Sequence, residues 1–157
     1  MSLEEELKLR KPIELLPQKM LLTVYHTASC IKKEAGEFFQ SFGLTRVQYN
    51  VLTLLGRQVG PDEGLTQAQL SEMMVVNRAN MTSLIDRMEK AGLVIRTAAA
   101  DRRYKVIKLT KKGTELFLKV EPLYLEEIKK RMAPLKESEQ ENLVILLEKV
   151  RQYITLS

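Results

Sequence analysis

The chain has a single cysteine and a single histidine among its 157 residues. One cysteine excludes an intrachain disulfide framework, and one Cys with one His cannot assemble a multi-ligand zinc site. No metal and no cofactor is expected. No uncharged apolar run reaches the roughly 18 residues needed to cross a bilayer, so no membrane partner is expected either. The opening MSLEEELKLRK is mixed in charge and lacks the apolar core of a secretory signal, which points to a cytoplasmic protein. Met1 to Lys11 have little to bury and are expected to fray. Nucleophile–base pairs and phosphate-binding loops are missing as well. A lone imidazole leaves little for acid–base work, so no catalytic residues are assigned and an enzyme is not expected.

What is present suits one globular domain, or a domain with a dimerising extension: 45% hydrophobic and 29% charged residues. The chain is organised around the stretch Val76 to Gly113. Met81, Leu84, Ile85 and Met88 fall at i, i+3, i+4, i+7 and give a helix one apolar face. Its opposite side is centred on Ala79, Ser83, Asp86 and Lys90, flanked by Asn77, Arg78, Asn80, Thr82 and Arg87. Gly92 supplies a left-handed stop. A strand-like run, Leu93 to Thr97, a polar tip, Asp101-Arg102-Arg103, and a second run, Tyr104 to Leu109, follow. Helix, strand, charged tip, strand is the layout of a winged helix. Between Asn77 and Lys112 ten Lys/Arg face three acids, a charge of +7 against +5 for the whole chain. Such local concentration fits a phosphate backbone; the bland alternative is a solvated charged surface.

Upstream, Pro17 opens a long helix whose residues Leu21, Val24, Ala28, Ile31, Ala35, Phe38 and Phe42 step as a heptad seam, closed by Gly43. Thr45 with Gln48 forms a capping box for a second helix, which buries Val47, Val51, Leu54 and Leu55. After the breaker 59–64, Thr66 with Gln69 repeats the device and opens a short helix ending near Met74. A short capped helix, a tight turn and the Asn77 helix make a helix-turn-helix whose second helix is the one expected to enter a major groove. Thr110 caps another long helix, roughly Lys111 to Met132, kinked at Pro122 and ended by Pro134. Ser138 with Glu141 reads as a third capping box, ahead of Leu143, Leu147, Val150 and Ile154. The fold class is therefore mainly α with a small β-hairpin wing. Long helices at 12–43 and 114–157 flank a winged helix-turn-helix at 44–113. The long helices either pack within one chain or form a dimer interface, and their combined length favours the dimer.

In order and spacing, three segments resemble the multiple antibiotic resistance regulator (MarR) family of bacterial transcription factors. They are Leu65-Thr66 opening the short helix, Asp86-Arg87-Met88-Glu89-Lys90-Ala91-Gly92-Leu93-Val94, and Asp101-Arg102-Arg103 followed by Leu109-Thr110-Lys111-Lys112-Gly113. The resemblance spans about residues 20 to 155 in its order of elements. It implies a homodimer that binds a pseudo-palindromic double-stranded DNA operator, acting as a repressor and responding to a small aromatic or carboxylate effector. By position, Thr66, Asn77, Arg78, Asn80, Thr82 and Ser83 lie where the family contacts groove edges and phosphates, and Arg87 where it contacts backbone. Asp101, Arg102 and Arg103 match the wing, with Arg103 reaching a minor groove and Asp101 holding it. Ser83 stands where many members carry a larger basic residue.

The chemistry supports these roles independently. Asn pairs bidentately with adenine and Arg with guanine, each worth roughly 1–3 kcal/mol of discrimination. Asn80 is open to a second reading as a local backbone partner, and Asp101 as a plain turn residue. Tyr25, Phe39 and Tyr49 are the candidate lining of an aromatic effector pocket. Cys30 lies 15 residues before Thr45, closer than the peroxide-sensing members of the family place their reactive thiol. It reads as packing, with thiol redox sensing as the alternative. His26 reads as a surface or satisfied core residue. A winged helix serving only as a protein-interaction module is the remaining rival, against which the basic window argues.

Overall fold

The computed structural model describes residues 2–57, 59, 63–98 and 104–156. Its elements run α1 (Leu3–Glu6), α2 (Leu16–Gln40), α3 (Arg46–Arg57), β1 (Leu65–Thr66), α4 (Gln67–Met73), α5 (Arg78–Lys90), β2 (Val94–Ala98), β3 (Lys105–Leu109), α6 (Lys111–Met132) and α7 (Glu137–Leu156). The mainly helical winged architecture expected from the sequence is the one observed. Two compact units divide the chain, residues 1–114 and 115–157.

In the first unit, side-chain caps decide where helices start. Thr45 Oγ1 accepts from the Gln48 N–H at 3.2 Å while Gln48 Oε1 accepts from the Thr45 N–H at 2.8 Å. Thr66 and Gln69 repeat the exchange at 3.2 and 2.8 Å. These reciprocal bonds satisfy orphan donors that every helix start leaves. Glycine decides where two helices stop. Gly43 and Gly92 adopt φ of +69° and +70°, the left-handed conformation that only a residue without Cβ takes at no cost. Met81, Leu84, Ile85 and Met88 of α5 are all buried. They meet a core that includes Phe39, Tyr49, Leu52, Leu70, Val94 and Ile107.

α3 buries more than its sequence periodicity indicated. Val51 and Leu55 are buried as expected, Val47 and Leu54 are half-buried, and Tyr49 and Leu52 are buried too. The sheet has a third strand that the sequence reading did not contain. β1 pairs antiparallel with β3, Leu65 opposite Ile107, giving the order β1-β3-β2. Two residues carry no periodicity, so the strand is visible only once β3 is there to receive it. The wing itself pairs Val94 with Leu109 through Ala98 with Lys105.

The N-terminal segment departs from the fraying expected of it. Ser2 and Glu5 form a capping box for α1. Glu4 pairs with Lys19 at 2.7 Å and Glu6 with His26 at 3.0 Å, so polar contacts rather than burial tie it to α2. The seam of α2 is buried only at its C-terminal end, at Ala35 and, beside the seam, Phe39. Leu21, Val24 and Ile31 are exposed.

In the second unit, α6 continues through Pro122 without a break. The third capping box is not where the sequence placed it. α7 begins at Glu137, one residue before the expected Ser138 cap, and Glu139 Oε2 accepts from the Lys136 N–H at 2.7 Å. A lysine cap has no acceptor to return the bond, so only half of a box forms. Gln140 Nε2 meanwhile donates to the Met132 and Leu135 carbonyls at 3.3 and 3.0 Å, satisfying the C-terminal end of α6. Leu143, Leu147, Val150 and Ile154 are exposed along α7, with Leu146 and Tyr153 beside them.

Two glycines separate steric need from helix propensity. A Cβ at Gly113 would lie 2.0 Å from the Leu93 carbonyl oxygen, whereas one at Gly36, inside α2, would meet nothing within 4 Å. Gly113→Ala should lower the denaturant-measured stability by about 1–3 kcal/mol. Gly36→Ala should raise it by roughly 0.5–1 kcal/mol. Equal effects of the two changes would contradict the close approach of α6 to Leu93.

Candidate nucleic-acid interface

α4 and α5 are joined by a turn closed by backbone bonds on the α4 side and by a side-chain cap on the α5 side. Asn77 is the N-cap of α5, its Oδ1 accepting from the Asn80 N–H at 2.9 Å. Thr82 Oγ1 donates to the Arg78 carbonyl at 2.9 Å and accepts from Gln67 Nε2 at the start of α4. Arg87 Nε donates to the Ser83 carbonyl at 3.1 Å. At the far end, Lys112 Nζ donates to the Ala91 carbonyl at 2.7 Å, a cation placed on the negative end of the helix dipole. Thr110 Oγ1 donates to the Gly92 carbonyl at 2.6 Å and accepts from the Gly113 N–H at 3.0 Å, which makes it the cap of α6 as expected.

The sequence-derived residues thus sort into two groups. Thr66 and Asn77 have their side-chain oxygens engaged in capping α4 and α5, and Thr82 Oγ1 is engaged within α5 and with Gln67 of α4. Arg78, Asn80, Ser83 and Arg87 lie exposed along α5. Asn80 gives its backbone N–H to Asn77 and leaves its carboxamide on the exposed surface. Asp101, Arg102 and Arg103 lie outside the described residues.

The contact that the sequence reading missed is Arg96. From β2 its guanidinium reaches two carboxylates of α5, Asp86 at 2.5 Å and Glu89, while its backbone N–H donates to Glu89 Oε1 at 3.0 Å. Helix and wing are therefore clasped by a planar fork between two carboxylates. The available signal was charge alone: two acids three residues apart on one helix face, followed beyond a glycine stop by a strand arginine. The Arg96 backbone N–H, and then its side chain, hold the Glu89 carboxyl below its ordinary pKa of 4.5.

The aromatic trio does not come together as a pocket. Phe39 and Tyr49 are buried and stacked on one another with centroids 4.3 Å apart, filling the space between α2 and α3. Tyr25 is 61% exposed. That placement corrects the expected lining: two of its three members are core. Cys30 is likewise not packing, since it is exposed. Its Sγ lies 3.8 Å from His26 Nε2, one helical turn away, and the same nitrogen faces Glu6.

A capped helix pair, a left-handed turn and a hairpin clasped to the second helix define a winged helix-turn-helix. The MarR family profile matches residues 42–103, the segment that holds α3, the helix-turn-helix and the wing up to its tip. Over that segment the chain is similar to the MarR family of transcriptional regulators. It is 25% identical over 146 residues to the HTH-type transcriptional regulator PecS of Dickeya dadantii (strain 3937), covering 92% of this chain and 87% of the relative. Among solved structures it resembles AbsC, a MarR family transcriptional regulator from Streptomyces coelicolor. The TM-score is 0.83 at 21% identity, over 94% of this chain and 99% of that one. It also shares its fold with MepR of S. aureus in a MepR–DNA complex, with a TM-score of 0.75 at 22% identity over 85% and 94% of the two chains.

The clasp has a pH signature. A carboxyl held below its ordinary pKa contributes stability that is fully present above the unfolded value and is lost as pH falls through the folded one. Urea melts taken from about pH 7 down to about pH 3 should show wild-type stability dropping as pH passes below 4.5. Arg96→Met keeps the aliphatic stem and removes the cation, so its profile should be shallower there. Parallel profiles would mean that Glu89 draws no stabilisation from Arg96.

Proposed function

We propose that the chain acts as a homodimer on a pseudo-palindromic DNA duplex, with α5 of each copy in a major groove and the wing tip over the adjacent minor groove. The observation that carries the proposal is the exposed polar row of α5, set inside a segment whose net charge exceeds that of the whole chain. Arg78 and Asn80 in the first turn suit base edges, since Arg pairs with guanine and Asn with adenine. Arg103 at the tip suits a narrow minor groove, read through shape and charge. MepR, solved on DNA, shares the fold, which supports the same mode here.

The homodimer is supported by apolar side chains left exposed at helical spacing. Leu21, Val24 and Ile31 on α2 and Leu143, Leu147, Val150 and Ile154 on α7 are the seam positions a second copy would cover. Two copies would place their α5 helices on half-sites about one helical turn apart. The family resemblance extends the reading to a repressor relieved by a small aromatic or carboxylate effector. The packed Phe39–Tyr49 pair does not offer that effector a place within one chain.

Two measurements test the proposal. Light scattering at micromolar concentration should give twice the 18.1 kDa chain mass; a monomer would overturn the dimer. Binding titrations against a duplex selected from a random pool should separate α5 from the wing. Asn80→Ala should cost roughly 1–3 kcal/mol on the best duplex and relax preference at one base pair per half-site. Arg103→Ala should weaken binding to all duplexes and flatten the salt dependence by about one unit of slope. Equal, sequence-independent losses from both would show that Asn80 does not read bases.

A further inference from the structure

We infer that Val75, in the turn between α4 and α5, is a specificity contact that lies against the C5 methyl of a thymine at the edge of each half-site. The inference rests on the DNA-binding reading and begins from three helix ends built alike. α2 closes with Leu44 N–H on the Phe39 carbonyl and Gly43 N–H on the Gln40 carbonyl, both at 3.0 Å. α5 closes with Leu93 N–H on Met88 and Gly92 N–H on Glu89, both at 2.9 Å. α4 closes with Val76 N–H on Ser71 at 3.0 Å and Val75 N–H on Glu72 at 3.1 Å. All three are the same paired closure, and all three need a left-handed residue at its pivot.

The first two ends put glycine there, at φ +69° and +70°. The third puts valine there, at φ +51°. A β-branched residue in this conformation brings its Cβ against the backbone, so the position is strained where glycine would relax it. Burial does not compensate, because Val75 is 93% exposed. Strain that the fold imposes at an exposed apolar side chain points to a function for that side chain.

The location selects the partner. Val75 stands two residues before the α5 N-cap and shares a shallow surface depression with Asn77 and Arg78. The depression adjoins the start of the α5 row assigned to DNA. The apolar feature a duplex presents in its major groove is the thymine methyl. An isopropyl group meeting that methyl removes both from water, and a polar or absent side chain cannot do so.

The test uses the full-length protein and duplexes selected from a random pool by wild type, Val75→Gly, Val75→Asn and Val75→Ile. Gly and Asn both tolerate the left-handed conformation, so their thermal midpoints should rise by about 2–4 °C. Both should lose a thymine preference at one position per half-site. Replacing that thymine by uracil, which lacks the methyl, should weaken wild-type binding about threefold to fivefold. The same replacement should leave Val75→Gly nearly unaffected. Val75→Ile should keep both the preference and the uracil penalty. An unchanged preference in Val75→Gly overturns the contact. Midpoints of both relaxed variants at or below that of wild type overturn the strain. Should wild type enrich no sequence at all, the DNA-binding reading itself fails and this inference falls with it.

Discussion

Arg96 is the residue on which the geometry of the DNA-reading unit depends. A two-stranded hairpin has little stability alone and no fixed angle to the helix before it. Here β2 leaves α5 after Gly92, and its third residue returns a guanidinium to Asp86 and Glu89 on that helix. The clasp closes a loop of only 10 residues, so little chain entropy opposes it. It also pairs two of the three acids in the basic window with one cation of the same window. A single arginine ties the wing to the helix and offsets part of the negative charge there. Lysine would not substitute well, because a point charge cannot hold two carboxylates in one plane.

The helix pair is fixed by the same logic at smaller scale. Gln67 at the first position of α4 donates to Thr82, one turn into α5, so the start of one helix is tied to the middle of the other. Asn77 holds the N-terminus of α5, while Lys112 and Gly92 finish its C-terminus. Beneath them Met81, Leu84, Ile85 and Met88 anchor the helix in the core. Apolar burial holds α5 on the protein, and the polar bonds determine its rotation and entry angle. The two contributions act on different faces of the helix, so changes at Arg78, Asn80 or Ser83 need not disturb folding.

Much of this was readable before the structure, and the exceptions share a cause. Local devices were legible: the Thr45–Gln48 and Thr66–Gln69 boxes, the Gly43 and Gly92 stops, and the buried stripe of α5. Each depends on residues within four positions of one another. Ser138–Glu141 had the same pattern and failed, because α7 could start earlier, with Glu139 reaching back to Lys136. A box pattern specifies a possible start; competition with neighbouring starts specifies the actual one. Arg96, Lys112 and β1 were missed because their partners lie 7 to 42 residues away, where spacing carries no signal. The aromatic trio erred for a different reason. Aromatic rings suit a pocket wall and a core equally well, and the stack of Phe39 on Tyr49 fills the room a ligand would need.

The bonds within the motif also narrow where specificity can reside. The α5 row suggested by the sequence held Asn77, Arg78, Asn80, Thr82, Ser83 and Arg87. Asn77 Oδ1 and Thr82 Oγ1 are already engaged, and breaking either bond would loosen the helix it positions. Arg87 lies along its own helix on the Ser83 carbonyl, which favours a backbone-directed role over a base-directed one. Among the described residues of this row, that leaves Arg78, Asn80 and Ser83 as exposed side chains not recruited by the motif itself. In the proposed mode, three positions of this row per half-site would give a short direct readout, with Ser83 adding little reach. A duplex recognised this way needs two half-sites for adequate discrimination, since each good bidentate contact supplies only about 1–3 kcal/mol. The exposed apolar seams of α2 and α7 answer that need in the dimer proposed here: pairing two copies doubles the readout without adding a residue to it.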